Sequence, residues 1–233
     1  VVCIGTGLEN SLPGSELHTP LFQNSIAAED AAPSATLGAE SLVLTDKFGN
    51  AYFVQDAEVC FSRELQHSYH EETDAPTEGY FEKAYINHGG VCSGESYEYM
   101  MVAEASPEQL ETYVEELPYS VLRADSVAHI VKDSVTGITG CSAFGQTAVD
   151  ELVVSVSPSV LMYRQTGNEL EISVSNPDLA LYSGESDEVF NADGKRKERS
   201  VYGRAWVGNP SQPRTVEMVI EGEWDLAEAC DDV

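Results

Sequence analysis

Ser41-Leu42-Val43-Leu44-Thr45-Asp46-Lys47-Phe48-Gly49-Asn50-Ala51-Tyr52-Phe53-Val54 is the stretch on which the fold reading turns. Two runs of apolar and aromatic residues flank a linker built from Asp46, Gly49 and Asn50, which is the chemistry of an antiparallel hairpin. The same punctuation recurs outward from it. Strands are predicted at residues 1–4, 59–62, 97–103, 128–132, 152–156, 160–163, 170–174, 201–207 and 215–221. Asp193-Gly194 reads as a tight turn between a strand ending near Phe190 and one starting near Lys197. Strands this dense, without alternating helices, predict an all-β fold of stacked antiparallel sheets.

One short helix interrupts them. Ser106-Pro107-Glu108-Gln109 offers an N-cap serine, a proline at the first helical position and a glutamine three residues after the cap. Leu110, Val114 and Leu117 then make an apolar stripe, and Pro118 stops the run. Such a helix is expected to cover the edge or end of a sheet. The segment 140–146 is small and glycine-punctuated, and a fresh series of strands begins near Leu152. The expected division is residues 1–149 and 150–233, a larger β-sandwich domain followed by a small antiparallel one.

Composition bounds the partners. The chain has 233 residues, 42% of them apolar, with 12 Lys plus Arg against 40 Asp plus Glu and a net charge of -28. That field repels nucleic acid and anionic membrane surfaces, and excludes both as partners. It also disfavours direct contact with an anionic polymer. No apolar run approaches the ~20 residues that span a bilayer. Val1-Val2-Cys3-Ile4 reads as a strand entered in mid-run, and the expectation is a piece of a longer precursor. Cys3, Cys60, Cys92, Cys141 and Cys230 are odd in number and scattered, without a C-x-x-C pair. Neither a disulfide framework nor a zinc knuckle is expected, and a single bridge stays open.

Several residues carry the ingredients of chemistry without its spacing. His67 and His70, followed by Glu71 and Glu72, would share a face on a helix but not on a strand, so no metal site is assigned. Gly5-Thr6-Gly7 lacks the third glycine and the helix of a phosphate loop. His88 and His129 lie beside strands, where a hydrogen-bonded structural role is commoner than that of a base. No catalytic residue is assigned. Trp206 and Trp224 have the shape to stack on sugar rings, with core packing as the competing use. Lys195, Arg196 and Lys197, joined by Arg199, form a basic cluster suited either to an anionic polymer or to a solubilising hairpin tip.

Taken in order, a set of stretches resembles polysaccharide lyase family 8, and within it the chondroitinase ABC-type and hyaluronate lyases. They begin with residues 2–11 and Thr19-Pro20-Leu21-Phe22-Gln23, then Pro76-Thr77-Glu78-Gly79, Tyr85-Ile86-Asn87-His88-Gly89 and Tyr97-Glu98-Tyr99-Met100. Residues 119–125, Ala128-His129-Ile130-Val131, 154–158, Leu161-Met162-Tyr163 and 174–179 follow, so the match covers about residues 1–182. The resemblance implies the C-terminal β region: a β-supersandwich, then a small antiparallel β-sandwich. It also implies a bacterial, secreted or periplasmic parent enzyme that cleaves chondroitin, dermatan sulfate or hyaluronan by β-elimination at the hexuronic acid. In the family the catalytic His, Tyr and Arg lie on an N-terminal α/α toroid and an assisting Glu comes from early in the β region, all ahead of this chain's positions; the toroid would be this chain's partner within the same protein. An anionic polysaccharide would be met through that parent enzyme, and the chain alone is expected to be inactive. No cofactor is implied here, and calcium is left as an option for the parent only. The competing reading is a stand-alone carbohydrate-binding β-sandwich that uses Trp206, Trp224 and the basic cluster.

Overall fold

The computed structural model describes residues 1–176 and 215–227. They form stacked antiparallel sheets with one α-helix, the fold class expected from the sequence. The quoted hairpin is made by β3 (Ala32–Thr45) and β4 (Ala51–Tyr69), in register from Thr45↔Ala51 through Ala35↔Phe61. Asp46 shapes its turn: Oδ1 accepts the backbone N–H groups of Phe48 at 2.9 Å and Asn50 at 3.0 Å. Gly49 takes φ 82, a region that side chains with a Cβ avoid.

β4 organises the first sheet. β3 follows one edge, while the other edge is shared between β6 (Cys92–Val102) and β5 (Pro76–Asn87). β6 pairs with Ala51 to Gln55 and β5 with Val59 to Tyr69. The sheet therefore forks, with β1 (Val2–Asn10) completing the β6 branch and β2 (His18–Ser25) the β5 branch. At the fork Asp56 adopts φ 45, a conformation Asp tolerates better than most residues. This break lets Val54 and Val59, five residues apart, enter one buried cluster with Phe22, Tyr52, Ala84 and Ile86. The two runs read as separate strands at 51–54 and 59–62 are thus one strand that extends to Tyr69. Pro76-Thr77-Glu78-Gly79 opens β5, with the proline at the strand's first residue, where it is tolerated.

The second sheet has the order β12–β11–β9–β8–β7, from β7 (Tyr119–Ala124), β8 (Ala128–Asp133), β9 (Thr139–Ala143), β11 (Ser159–Thr166) and β12 (Glu169–Ser175). β10 (Val153–Val156) pairs with β13 (Met218–Ile220) and packs Val153, Val156 and Met218 against Ile130, Cys141, Leu161 and Tyr163 of that sheet. The glycine-punctuated segment 140–146 overlaps β9, which is hydrogen-bonded on both sides to β8 and β11. The expected division after residue 149 falls between β9 and β11, which are neighbours in this sheet.

The helix α1 (Pro107–Glu115) carries the predicted capping box: Gln109 N–H donates to Ser106 Oγ and Ser106 N–H donates to Gln109 Oε1. Its buried stripe differs from the expected one. Leu110, Tyr113 and Leu117 face the core, with the Tyr113 ring edge-on to Phe53 at 6.0 Å, whereas Val114 is 58% exposed. Leu110 and Tyr113 are three apart on one helical face, and Leu117 joins them from just beyond the extended C-cap at Glu116. With Ala51, Phe53, Met100 and Tyr119 they form the cluster that joins the two sheets. Phe53 is fully buried there, and a side chain of that size contributes about 1.5–3 kcal/mol.

Candidate functional site

The residues singled out in the sequence do not converge. Trp224 is exposed, and its indole N–H donates to the Glu221 carbonyl at 2.8 Å. Trp206, Lys195, Arg196, Lys197 and Arg199, with the Asp193-Gly194 turn, the strand at 201–207 and Cys230, lie outside the described residues. His67 sits on β4 and faces Glu78 of β5 at 3.5 Å, while His70 lies in the following turn, its Nδ1 accepting from Glu72 N–H. Among the described residues no three His, Cys, Asp or Glu side chains are grouped to hold a metal. Cys3, Cys60, Cys92 and Cys141 are free thiols.

His88 and His129 fasten strands. His88 Nε2 pairs with Thr19 Oγ1 of β2 at 2.9 Å, and burial pushes its pKa down. His129 Nε2 of β8 pairs with Thr6 Oγ1 of β1 at 3.0 Å, so it ties the second sheet to the first. Thr6 belongs to the Gly5-Thr6-Gly7 stretch, which is strand with a bulge and no phosphate loop.

A buried polar cluster lies on the core face of the first sheet, where Arg63, Glu82 and Asn24 stand side by side on β4, β5 and β2. Arg63 Nε and Nη2 donate to Glu82 Oε2 at 3.2 and 3.1 Å, and Lys47 N–H donates to Oε1 at 2.7 Å. Asn24 Nδ2 reaches both Glu82 Oε1 and Asp46 Oδ2. Burial, then the charge and hydrogen bond of Asp46, raise the Tyr52 pKa. Every acidic oxygen in the cluster faces a donor. It pins the β3–β4 turn to the sheet, leaving no free base.

The opposite face of the β5 branch is open and polar. Directly paired residues share a face, so Cys60, Tyr85 and Pro20 form one row, and Ser62, Lys83 and Gln23 the next. Thr36, Cys60, Ser62, Glu64, Lys83 and Tyr85 line a cleft of about 230 Å³. His18 lies against the Tyr85 ring at 4.0 Å between centroids. A hydrogen bond with Cys60, then burial, raises the Tyr85 pKa. Lys83 Nζ is 3.9 Å from Glu64 Oε1 and 5.8 Å from the Tyr85 centroid. Ser62 Oγ and Gln66 Nε2 are buried on this same strand without a hydrogen-bond partner. The arrangement offers a donor, an acceptor, an unpaired hydroxyl and an aromatic wall, a set suited to holding a polar molecule. None of these residues stands out as a ligand-binding residue in the sequence: Cys60 and Ser62 fall in the strand expected at 59–62, and no strand is expected at Glu64, Lys83 or Tyr85. The one available signal was alternation: Cys60, Ser62, Glu64 and Gln66 interleave with Phe61, Arg63 and Leu65.

Comparison with known proteins places this fold. Residues 120–181 match the C-terminal beta-sandwich domain of polysaccharide lyase family 8. The chain is 31% identical over 235 residues to the chondroitin sulfate ABC exolyase of Bacteroides thetaiotaomicron, covering 98% of this chain and 23% of that enzyme. It is 31% identical over 243 residues to the chondroitin sulfate ABC exolyase of Proteus vulgaris, covering 97% and 24%. The chain thus spans about a quarter of the length of the curated relatives it matches. A solved chondroitinase AC lyase superposes with a TM-score of 0.61 at 14% identity, over 94% of this chain and 34% of that one, which marks a shared fold. The matched domain and the end-to-end alignment make the chain similar to the C-terminal β region of polysaccharide lyase family 8.

Proposed function

We propose that this chain is the C-terminal β portion of a lyase that cleaves chondroitin, dermatan sulfate or hyaluronan by β-elimination at the hexuronic acid. In that enzyme it is a scaffold, buttressing a helical catalytic domain carried elsewhere in the protein and walling its cleft. The observation that carries the reading is the alignment of 98% of the chain with a quarter-length stretch of a chondroitin sulfate ABC exolyase. Elimination requires a base for the C5 proton and an acid for the departing glycosidic oxygen, both converging on one cleft. The residues of this chain support a non-catalytic role: His88 and His129 are engaged by threonines, and Glu82 and Asp46 are buried among donors. The net charge of -28 favours polymer binding by the catalytic domain over this surface. The parent enzyme is proposed to be bacterial, and secreted or periplasmic, where its substrate is reached.

The test is direct. Purified chain is incubated with chondroitin sulfate, and the ultraviolet absorbance of unsaturated uronate is followed beside the natural full-length protein. Product from the full-length protein alone is expected. Product from the isolated chain would overturn the scaffold role, and none from the full-length protein would overturn the lyase reading.

A further inference from the structure

We propose that the cleft on the open face of β3, β4 and β5 binds one ring of a neutral saccharide, held by Ser62, Glu64 and Lys83 and walled by Tyr85. The site stands apart from the elimination chemistry and does not depend on it.

Among the described residues, the two buried side-chain atoms without a hydrogen-bond partner are Ser62 Oγ and Gln66 Nε2, both on β4. Ser62 is only 4% exposed and lines the cleft. An unpaired buried hydroxyl is costly to keep, and a ligand hydroxyl would satisfy it once the flanking Lys83 and Glu64 side chains part to admit it. Lys83 and Glu64 are 35% and 47% exposed and 3.9 Å apart, the outer limit of an ion pair. A half-exposed pair of this kind is weak. It can part to give one donor and one acceptor to adjacent hydroxyls of a ring. Tyr85 is held in place by His18 against its ring and by its pairing with Cys60 across β4 and β5, so the wall is set before a ligand arrives.

Charge selects the class of ligand. Lys83 and Glu64 are the two formally charged groups lining the cleft, and they cancel. A sulfate or uronate would meet the Glu64 carboxylate and the field of a chain with net charge -28. A neutral ring meets neither penalty. The cleft volume of about 230 Å³ is below the ~300 Å³ at which pockets for drug-sized ligands begin, which fits a single ring. That ring is either a free monosaccharide or one unit of a neutral oligosaccharide.

The isotopically labelled 233-residue chain is titrated with methyl β-galactoside, N-acetylgalactosamine, a neutral β-linked galacto-oligosaccharide, glucuronate and sulfate, and amide shifts are followed. A neutral sugar is expected to bind in the millimolar range typical of a single ring, with shifts centred on residues 60–64 and 83–85. Tighter binding of the oligosaccharide than of either monosaccharide identifies a polymer unit as the source; equal binding identifies the free sugar. Ser62→Ala and Lys83→Ala each weaken binding about tenfold. Ser62→Ala melts no lower than wild type without ligand, because it removes an unpaired group, so its binding loss is not unfolding. Alkylation of Cys60, read by mass spectrometry, slows with sugar while that of Cys3 and Cys92 does not. Shifts that miss the cleft, no saturable shift with any neutral sugar, or tighter binding of glucuronate or sulfate would overturn the proposal.

Discussion

Arg63 and Glu82 face each other across β4 and β5, the guanidinium donating from Nε and Nη2 to one oxygen of a carboxylate that is fully buried. The pair is asymmetric, since the Arg63 side chain is 35% exposed and can return to water whereas Glu82 cannot. Arg63→Ala leaves an uncompensated buried charge and is expected to cost about 3–5 kcal/mol. Arg63→Met with Glu82→Leu should recover only part of that loss, because Lys47 N–H and Asn24 Nδ2 lose their acceptor. Urea denaturation of the single and double variants checks the order. A double variant as stable as wild type would show that the turn contacts contribute nothing.

Gly5 of β1 is paired with Tyr97 of β6, and the tyrosine ring lies over the glycine. A Cβ at position 5 would sit 2.2 Å from Cε1 of that ring. Gly5→Ala therefore displaces Tyr97 from its packing beside Tyr99, 6.0 Å away between centroids. The expected loss is about 1–3 kcal/mol, the range for overpacking. Tyr97→Ala on its own lowers stability, but in that background Gly5→Ala should be close to neutral. A thermal melt of the four-member cycle measures the coupling.

The α1 stripe gives a simpler contrast. Tyr113 packs on Phe53, whereas Val114 is largely exposed. Tyr113→Ala is expected to cost about 2 kcal/mol, and Val114→Ala to stay within about 0.5 kcal/mol. Ser106→Ala removes the cap and should cost about 1 kcal/mol. Equal effects at 113 and 114 would contradict the face assigned to this helix.

The fold class was legible because turn chemistry is local: Asp46, Gly49 and Asn50 fix a hairpin whatever surrounds them. The cap of α1 was legible for the same reason. Its buried face was misread, since Val114 and Tyr113 are both apolar and only the position of Phe53 decides between them. β5 and the outer half of β4 were missed because their outer pairing, from Leu65↔Tyr80 to Tyr69↔Pro76, buries little on either face, and the inner half of β5 alternates only through Glu82, Ala84 and Ile86, one of them a carboxylate. Alternation is weak where both faces are wet. The open-face cleft depends on that pairing, since register alone brings Ser62 beside Lys83 and Cys60 beside Tyr85. β9 was hidden differently. Gly140 and Ser142 look like linker residues, yet the strand is central and its neighbours supply the packing.

Asp125 closes the turn between β7 and β8. Its Oδ2 accepts from Arg123 Nε at 2.6 Å, and Oδ1 accepts Val127 N–H at 2.7 Å and Ala128 N–H at 3.0 Å. The Arg123 hydrogen bond first, then the two backbone donors, pull its pKa down to about 2. A carboxyl depressed on folding stabilises the native state above its unfolded pKa, near 3.8, and that contribution is lost as pH falls through about 2. Asp125→Asn keeps an acceptor for the backbone but cannot ionise. Its melting temperature should lie below wild type by a constant margin above about pH 5, and the margin should shrink to its uncharged remainder by about pH 2. With 40 Asp and Glu titrating in the same range, the readout is the difference between the two melting curves at each pH. Arg123→Ala should remove most of that pH-dependent margin, because the charged donor at 2.6 Å from the carboxylate is gone. A margin independent of pH in the Arg123-containing chain would show that the carboxyl is not depressed, and would assign the turn's stability to backbone geometry alone.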